Sequence, residues 1–302
     1  METGGCQNGP VTTTEPQAAY PPEAGAPPPV VHAGFGRPRR WIVALTVAWV
    51  VVLAAGIGWA VARGEPTARE QTTVAEAEPV VDRAVAEIAT VASADGQAVA
   101  SISGFQRVGD CSVTVLRPGE RYQRIVTAVV SPGTEVALLD RVAARLPAAY
   151  GAMVRKGSLP RLTADAGFWV GITGSTLAPG VVRFVADTGD CRPAGDLTPA
   201  APAAPADGDR SAAQAVVARL GVPAAQWRTH RAACAGGGWV TTVEAIGADG
   251  ALPAPLDTAL RNVGGPAVVA TPELYAYRAG TTGMVVRVDA DRIIITATTL
   301  CS

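Results

Sequence analysis

The chain has 302 residues, with 25 basic side chains against 26 acidic ones and a formal charge of -1. That balance lacks the positive excess needed to displace counterions from phosphates, so a nucleic-acid-coating role is excluded. A mean hydropathy of +0.23 and a hydrophobic content of 48% exclude a chain disordered throughout, and the length suits two modest domains. Lys156 is the single lysine among the cations, and this preference for Arg reads as GC-rich bacterial coding.

Residues 1–36 hold Pro10, Pro16, Pro21, Pro22, Pro27, Pro28 and Pro29 and show no apolar periodicity. Such a segment buries too little surface to offset the entropy of ordering it, and a disordered, Pro-rich cytoplasmic tail is expected. Cys6 has no apolar run before it of the kind that precedes a lipid-modified cysteine, and His32 has no Cys or His neighbour to share a metal.

From Trp41 to Ala62 no charged residue occurs, and only Thr46 interrupts the apolar surface. As a helix this stretch is about 33 Å long, enough to span a hydrocarbon core of roughly 30 Å. Trp41 and Trp59 fall where indole rings favour the two membrane interfaces. Arg37, Arg39 and Arg40 precede the span, whereas Arg63 and Arg69 follow it mixed with Glu65 and Glu70, so the N-terminus is expected inside. Ala60-Val61-Ala62 resembles a signal-peptidase site, but the long apolar run and the long preceding tail favour an uncleaved signal anchor over residues 41–62.

A linker over 63–75 then leads to a first α+β module at 76–192. Its elements are a helix carrying Val80, Val81, Ala84, Val85, Ile88 and Val91, strands at 112–116 and 123–130, and a helix on Val136, Leu139, Val142 and Leu146. Strands at 167–173 and 181–186 complete it. Residues 193–210 are Pro/Ala linker. The second module, 211–302, opens on Ala213, Val216, Val217 and Leu220. It continues with strands at 239–246, 267–270, 274–277, 284–288 and 292–298, and a short helix on Leu256, Leu260 and Val263. The fold class expected is therefore α+β: one transmembrane helix, then two tandem, degenerate-repeat modules, each with a mostly antiparallel sheet and a disulfide.

Four of the five cysteines follow the span, as an oxidising exterior and a reducing cytoplasm would leave them. Four cysteines allow three pairings; the repeated order of elements favours Cys111 with Cys191 and Cys234 with Cys301.

Chemistry is harder to find. His230 is the only histidine after the span, and no Gly-x-Ser-x-Gly elbow accompanies it. The pairs Asp187/Asp190, Asp207/Asp209 and Asp289/Asp291 suit turns and a linker. Pro118-Gly119 suggests a hairpin turn, and Gly171–Thr176 and Gly236–Gly238 lack the endings of phosphate-binding loops. No catalytic, cofactor-binding or metal-binding residue is assigned. A possible binding face comprises Trp169, Tyr275 and Tyr277, on strands that correspond in the two modules. The expectation is a single-pass, signal-anchored bacterial envelope protein whose exterior binds or scaffolds a protein or cell-wall partner without catalysis. The alternatives are a sensor or regulatory subunit coupling ligand capture to a cytoplasmic partner, and a cell-wall hydrolase.

Overall fold

The computed structural model describes residues 40–63, 72–114, 117–197, 207–250 and 254–301, with side chains of 60–63 and 207–209 left aside. The tail expected to be disordered lies outside these residues, as do residues 198–206 of the 193–210 linker.

Helix α1, Arg40–Arg63, contains a stretch, Arg40–Trp59, that is long and apolar enough to cross a membrane, and none of it is buried in protein. The Thr46 hydroxyl, within the uncharged run, is satisfied inside the helix: it donates to the Ile42 carbonyl at 2.9 Å.

Residues from Glu65 onward form a separate compact unit. It begins at α2, Val74–Ser93, whose start is fixed by a capping box between Thr73 and Glu76. Val74, Ala77, Val81, Ala84, Val85, Ile88, Ala89 and Ala92 are fully buried, at the three- and four-residue spacing of one broad helical face.

The first sheet contains β1 (Ala98–Ile102), β2 (Gln106–Thr114), β3 (Arg117–Val130), β4 (Met153–Arg155), β5 (Arg161–Asp165), β6 (Gly171–Ala178) and β7 (Val181–Asp187), with α3 (Glu135–Arg145) between β3 and β4. The order is β1-β3-β7-β6-β5-β4, antiparallel throughout, and β2 continues beside the first half of β3. The second sheet follows α4 (Asp207–Leu220). It contains β8 (Ala224–Ala233), β9 (Trp239–Gly247), β10 (Ala267–Ala270), β11 (Leu274–Ala279), β12 (Thr282–Asp289) and β13 (Arg292–Thr299), with α5 (Leu256–Ala259) between β9 and β10. Read from the β8 edge, its order is β8-β9-β13-β12-β11-β10. Matching β1 to β8, β3 to β9 and β4–β7 to β10–β13 superposes the two orders.

The halves are not packed as separate bodies. Ala232 and Val240 of the second sheet join the core formed by α2, α3 and the first sheet. On the opposite side, Val99 and Val129 pack against Val269, Ala276 and Val285, and Gly283 keeps that approach close, since a Cβ there would lie 2.7 Å from Val99. A third core, under α4 and α5, belongs to the second sheet alone.

Polar bonds cross the same boundary. The Ile102 amide donates to the Thr242 hydroxyl at 3.1 Å, and Arg278 donates to the Ser93 carbonyl at the end of α2 at 2.5 Å. Arg124 of β3, 7% exposed, donates to the Arg231 carbonyl of β8 at 2.7 Å and pairs with Asp82 of α2 at 2.7 Å. The Arg124–Asp82 approach is an ion pair whose N–H is not aligned as a hydrogen bond.

Several local expectations differ from the structure. The strand expected over 167–173 is a turn up to Val170, because Phe168 and Trp169 take left-handed backbone angles. Pro118 and Gly119 lie inside β3, opposite Ser112 and Cys111, while the connection at 115–116 falls outside the described residues. Gly171–Thr176 forms β6 itself, where Gly174 leaves room for Phe184. Residues Pro193–Gly195 are not loose linker: the carbonyls of Pro193 and Ala194 accept from the first amides of α2. Strands β1, β4, β5 and β8 have no counterpart among the expected elements; β4 is three residues long and β8 is largely polar, so neither carries an alternating apolar pattern.

Burial outweighs the attraction of Arg124 and pushes the Asp82 carboxyl up to about 6, with Glu78 adding repulsion. The folded value lies above the unfolded one of 3.8, so this group's contribution is fully present below that value and is lost as pH rises through about 6. Urea unfolding of the detergent-solubilised chain should therefore show the stability of the native protein relative to Asp82→Asn declining from about pH 4 to about pH 6. A pH-independent difference would contradict the assignment.

Candidate functional site

The second half of the body ends in a bridge between Cys234 and Cys301, and the first in one between Cys111 and Cys191. These are the pairs favoured by the order of elements. Each joins the edge-strand side of a sheet to the residues just past its last strand. In the first, Gly119 is dictated by space, since a Cβ there would sit 2.6 Å from the Cys191 sulfur and 2.7 Å from the Arg192 carbonyl.

A cleft of about 430 Å³ opens beside the second bridge, within the size range of small-molecule sites. One wall is the α2 segment with Glu87, Thr90 and Val91. The other walls are Pro147, just past α3, and the Cys234–Cys301 bridge with Gly236 and Gly237 of the β8–β9 turn. No side chain from those glycines narrows the opening. The Glu87 Oε2 and Thr90 hydroxyl oxygens are buried and make no hydrogen bond within the protein. Tyr150 meets the same carboxylate, and its phenol is held far above the ordinary range by burial first and by Glu87 second. Arg145, the last residue of α3, also lines the cleft and pairs with Asp95 at 2.8 Å, so the hollow is largely apolar with one carboxylate in its α2 wall and one guanidinium beside Pro147, suited chemically to a mostly apolar molecule with polar groups.

A second feature is the turn between β5 and β6. Phe168 and Trp169 have φ of 53° and 61° and are 60% and 54% exposed. Left-handed backbone at a bulky residue costs on the order of 1–3 kcal/mol and persists only where surroundings enforce it. Here the enforcing group is Arg192, 2% exposed, which donates to the Phe168 carbonyl, to the Thr188 carbonyl at 2.6 Å and to the Thr72 hydroxyl at 3.0 Å. Gly189 completes the seat, since a Cβ there would lie 2.3 Å from the Trp169 carbonyl oxygen. The Gly167 amide is held by Asp165 at 2.8 Å.

The residues grouped as a possible binding face are not brought together. Tyr275 and Tyr277 share a face of β11, but that face is core: they are 5% and 3% exposed and meet edge to face with centroids 5.8 Å apart. Trp169 alone is exposed, on a turn of the other sheet. His230 lies on β8 with its Nε2 3.7 Å from Glu244 on β9, and this contact first of all lowers the Glu244 carboxyl. Asp187 accepts from the Gly189 amide at 2.7 Å, while Asp289 and Asp291 flank Ala290 in the β12–β13 turn. Gly236–Gly238 form the β8–β9 turn. Among the described residues no group of three or more His, Cys, Asp or Glu could hold a metal ion. The cleft is not legible in the sequence because its walls come from four separate stretches; the unusual Phe-Trp after Gly167 is visible there, but its left-handed turn is not.

Gly119→Ala should destabilise the body by about 1–3 kcal/mol through overpacking. Gly109→Ala, at a position with open space around it, should be close to neutral in the same urea titration. Replacing Cys234 and Cys301 together by Ala should lower the unfolding free energy by about 4 kcal/mol, the loop-entropy value for such a closure. Compared with known proteins, the chain matches no protein-family model, no curated protein and no solved structure.

Proposed function

We propose that this is a single-pass, signal-anchored envelope protein of a bacterium, N-terminus inside, whose exported body binds or scaffolds a protein or cell-wall partner without catalysis. The observation that carries this reading is one succession in the chain: an apolar helix of membrane-crossing length with no protein-buried surface, then a body closed by two disulfides. Disulfides of this kind belong to oxidising compartments, which supports an exported body with the helix as its anchor. The cleft beside Cys234–Cys301 supports the reading with a concave surface of ligand size whose lining is largely apolar, with Glu87 and Arg145 as its charged groups. The two halves are read as degenerate repeats, on the support of their matching strand orders and equivalent bridges.

Protease added to spheroplasts should remove the body and leave a membrane-bound fragment ending between Arg63 and Thr72. Alkylation of the denatured, unreduced chain should modify Cys6 alone. A body that survives protease on intact spheroplasts and is cut only after lysis would overturn the orientation.

A further inference from the structure

We infer that the Phe168–Trp169 turn is a membrane-docking tip, which seats this end of the exported body on the interfacial region of the same bilayer that α1 crosses. The inference rests on the proposed membrane span, and adds to it a second lipid contact by a part of the chain remote in sequence.

Three observations support it. First, the turn lies where the chain arrives from the anchor. Arg192 holds the Phe168 carbonyl with one guanidinium nitrogen and the Thr72 hydroxyl with another. Thr72 follows Arg63, the last residue of α1, by only nine positions. Nine residues fully extended reach roughly 30 Å, so Thr72, which shares the Arg192 guanidinium with the aromatic turn, is tethered within that distance of the helix end. Second, the display is rigid. Both aromatics stand in left-handed backbone enforced by a buried arginine and by Gly189, an arrangement that holds two large rings in solvent. Core packing cannot be the purpose of such rings, because more than half of each remains exposed. Third, the chemistry fits a headgroup boundary. An indole and a phenyl side by side provide the apolar body that partitions there, as Trp41 and Trp59 do on α1.

Charge at this end of the sheet is mixed. Arg117 and Arg121 on the projecting start of β3 are exposed together with Asp110 and Asp190. Ring insertion and not headgroup charge therefore supplies the attraction, and neutral and anionic bilayers should serve alike.

The full chain, labelled with fluorotryptophan, is reconstituted into phosphatidylcholine vesicles, and separately into phosphatidylethanolamine/phosphatidylglycerol vesicles, each with a small share of headgroup-nitroxide lipid. Fluorine resonances are assigned by single Trp→Phe variants, and Trp169→Phe identifies the reporter. The expected result is loss of the Trp169 resonance together with those of Trp41 and Trp59, in both lipids. Trp239 should survive: its strand leaves the β8–β9 turn, which meets α2 near Glu87 and Thr90, roughly 20 Å along that helix from its start. Retention of Trp169 while Trp41 and Trp59 are lost overturns the docking tip and leaves the anchor standing, as it would if the rings met a protein partner instead. Retention of all three overturns the anchor and the docking tip together.

Discussion

Nearly everything outside the apolar helix α1 depends on one constraint: α2 is too apolar to be covered by a single sheet. Its buried positions include Ala84, Val85 and Ala86 in direct succession, which on a helix point in widely different directions. The first sheet covers one side, and β8 and β9 reach the same core through Ala232 and Val240. The small alanines of α2 allow these backbones to approach closely. At this junction the chain buries a charged pair, Arg124 with Asp82, and gives the guanidinium a carbonyl of β8 as a further acceptor. Desolvation makes such a pair a poor source of net stability. Its effect is to orient α2, β3 and β8, because a misplaced arginine would leave a buried charge unmatched.

The two bridges act on the same architecture from its ends. Each ties the residues beyond a final strand back to the edge side of its sheet, closing loops of 80 and 67 residues. In a chain with 5% aromatic residues and many small side chains, covalent closure offsets a modest hydrophobic yield. The cleft and the exposed aromatic turn both adjoin these closures. The cleft uses the Cys234–Cys301 bridge as part of its wall, and the aromatic turn is seated by Arg192, the residue after Cys191. Rigid closures are where a fold can hold exposed or strained groups at low further entropic cost.

Particular residues show how far sequence patterns reach. The helix over 41–62 is legible from composition, because a run without charge must be covered by lipid or protein. Strands β3 and β7 are legible from alternation, since one face of each is more deeply buried, and β9, β12 and β13 from runs rich in Val, Ile and Thr that are buried on both faces. Strand β8 is not, because its sequence Ala-Ala-Gln-Trp-Arg-Thr-His-Arg-Ala-Ala hides an edge strand whose partners lie in other segments. Tyr275 and Tyr277 are legible as neighbours on one face but not as core residues. Only α4 and α5, arriving from elsewhere in the chain, decide that this face is covered.

The linear chain by itself thus determined an asymmetric pattern: an uncharged apolar run, four of the five cysteines after it, and periodicities that specify helices and strands locally. These properties depend on residue type and near-neighbour spacing, which the backbone reads within a few turns or one strand. Tertiary structure alone decided that the two halves share a core, that a cleft forms where α2 meets a distant disulfide, and that Phe168 and Trp169 face solvent in a turn held by Arg192. Each of these is settled by contacts between residues far apart in the chain, whose energies depend on which surfaces meet.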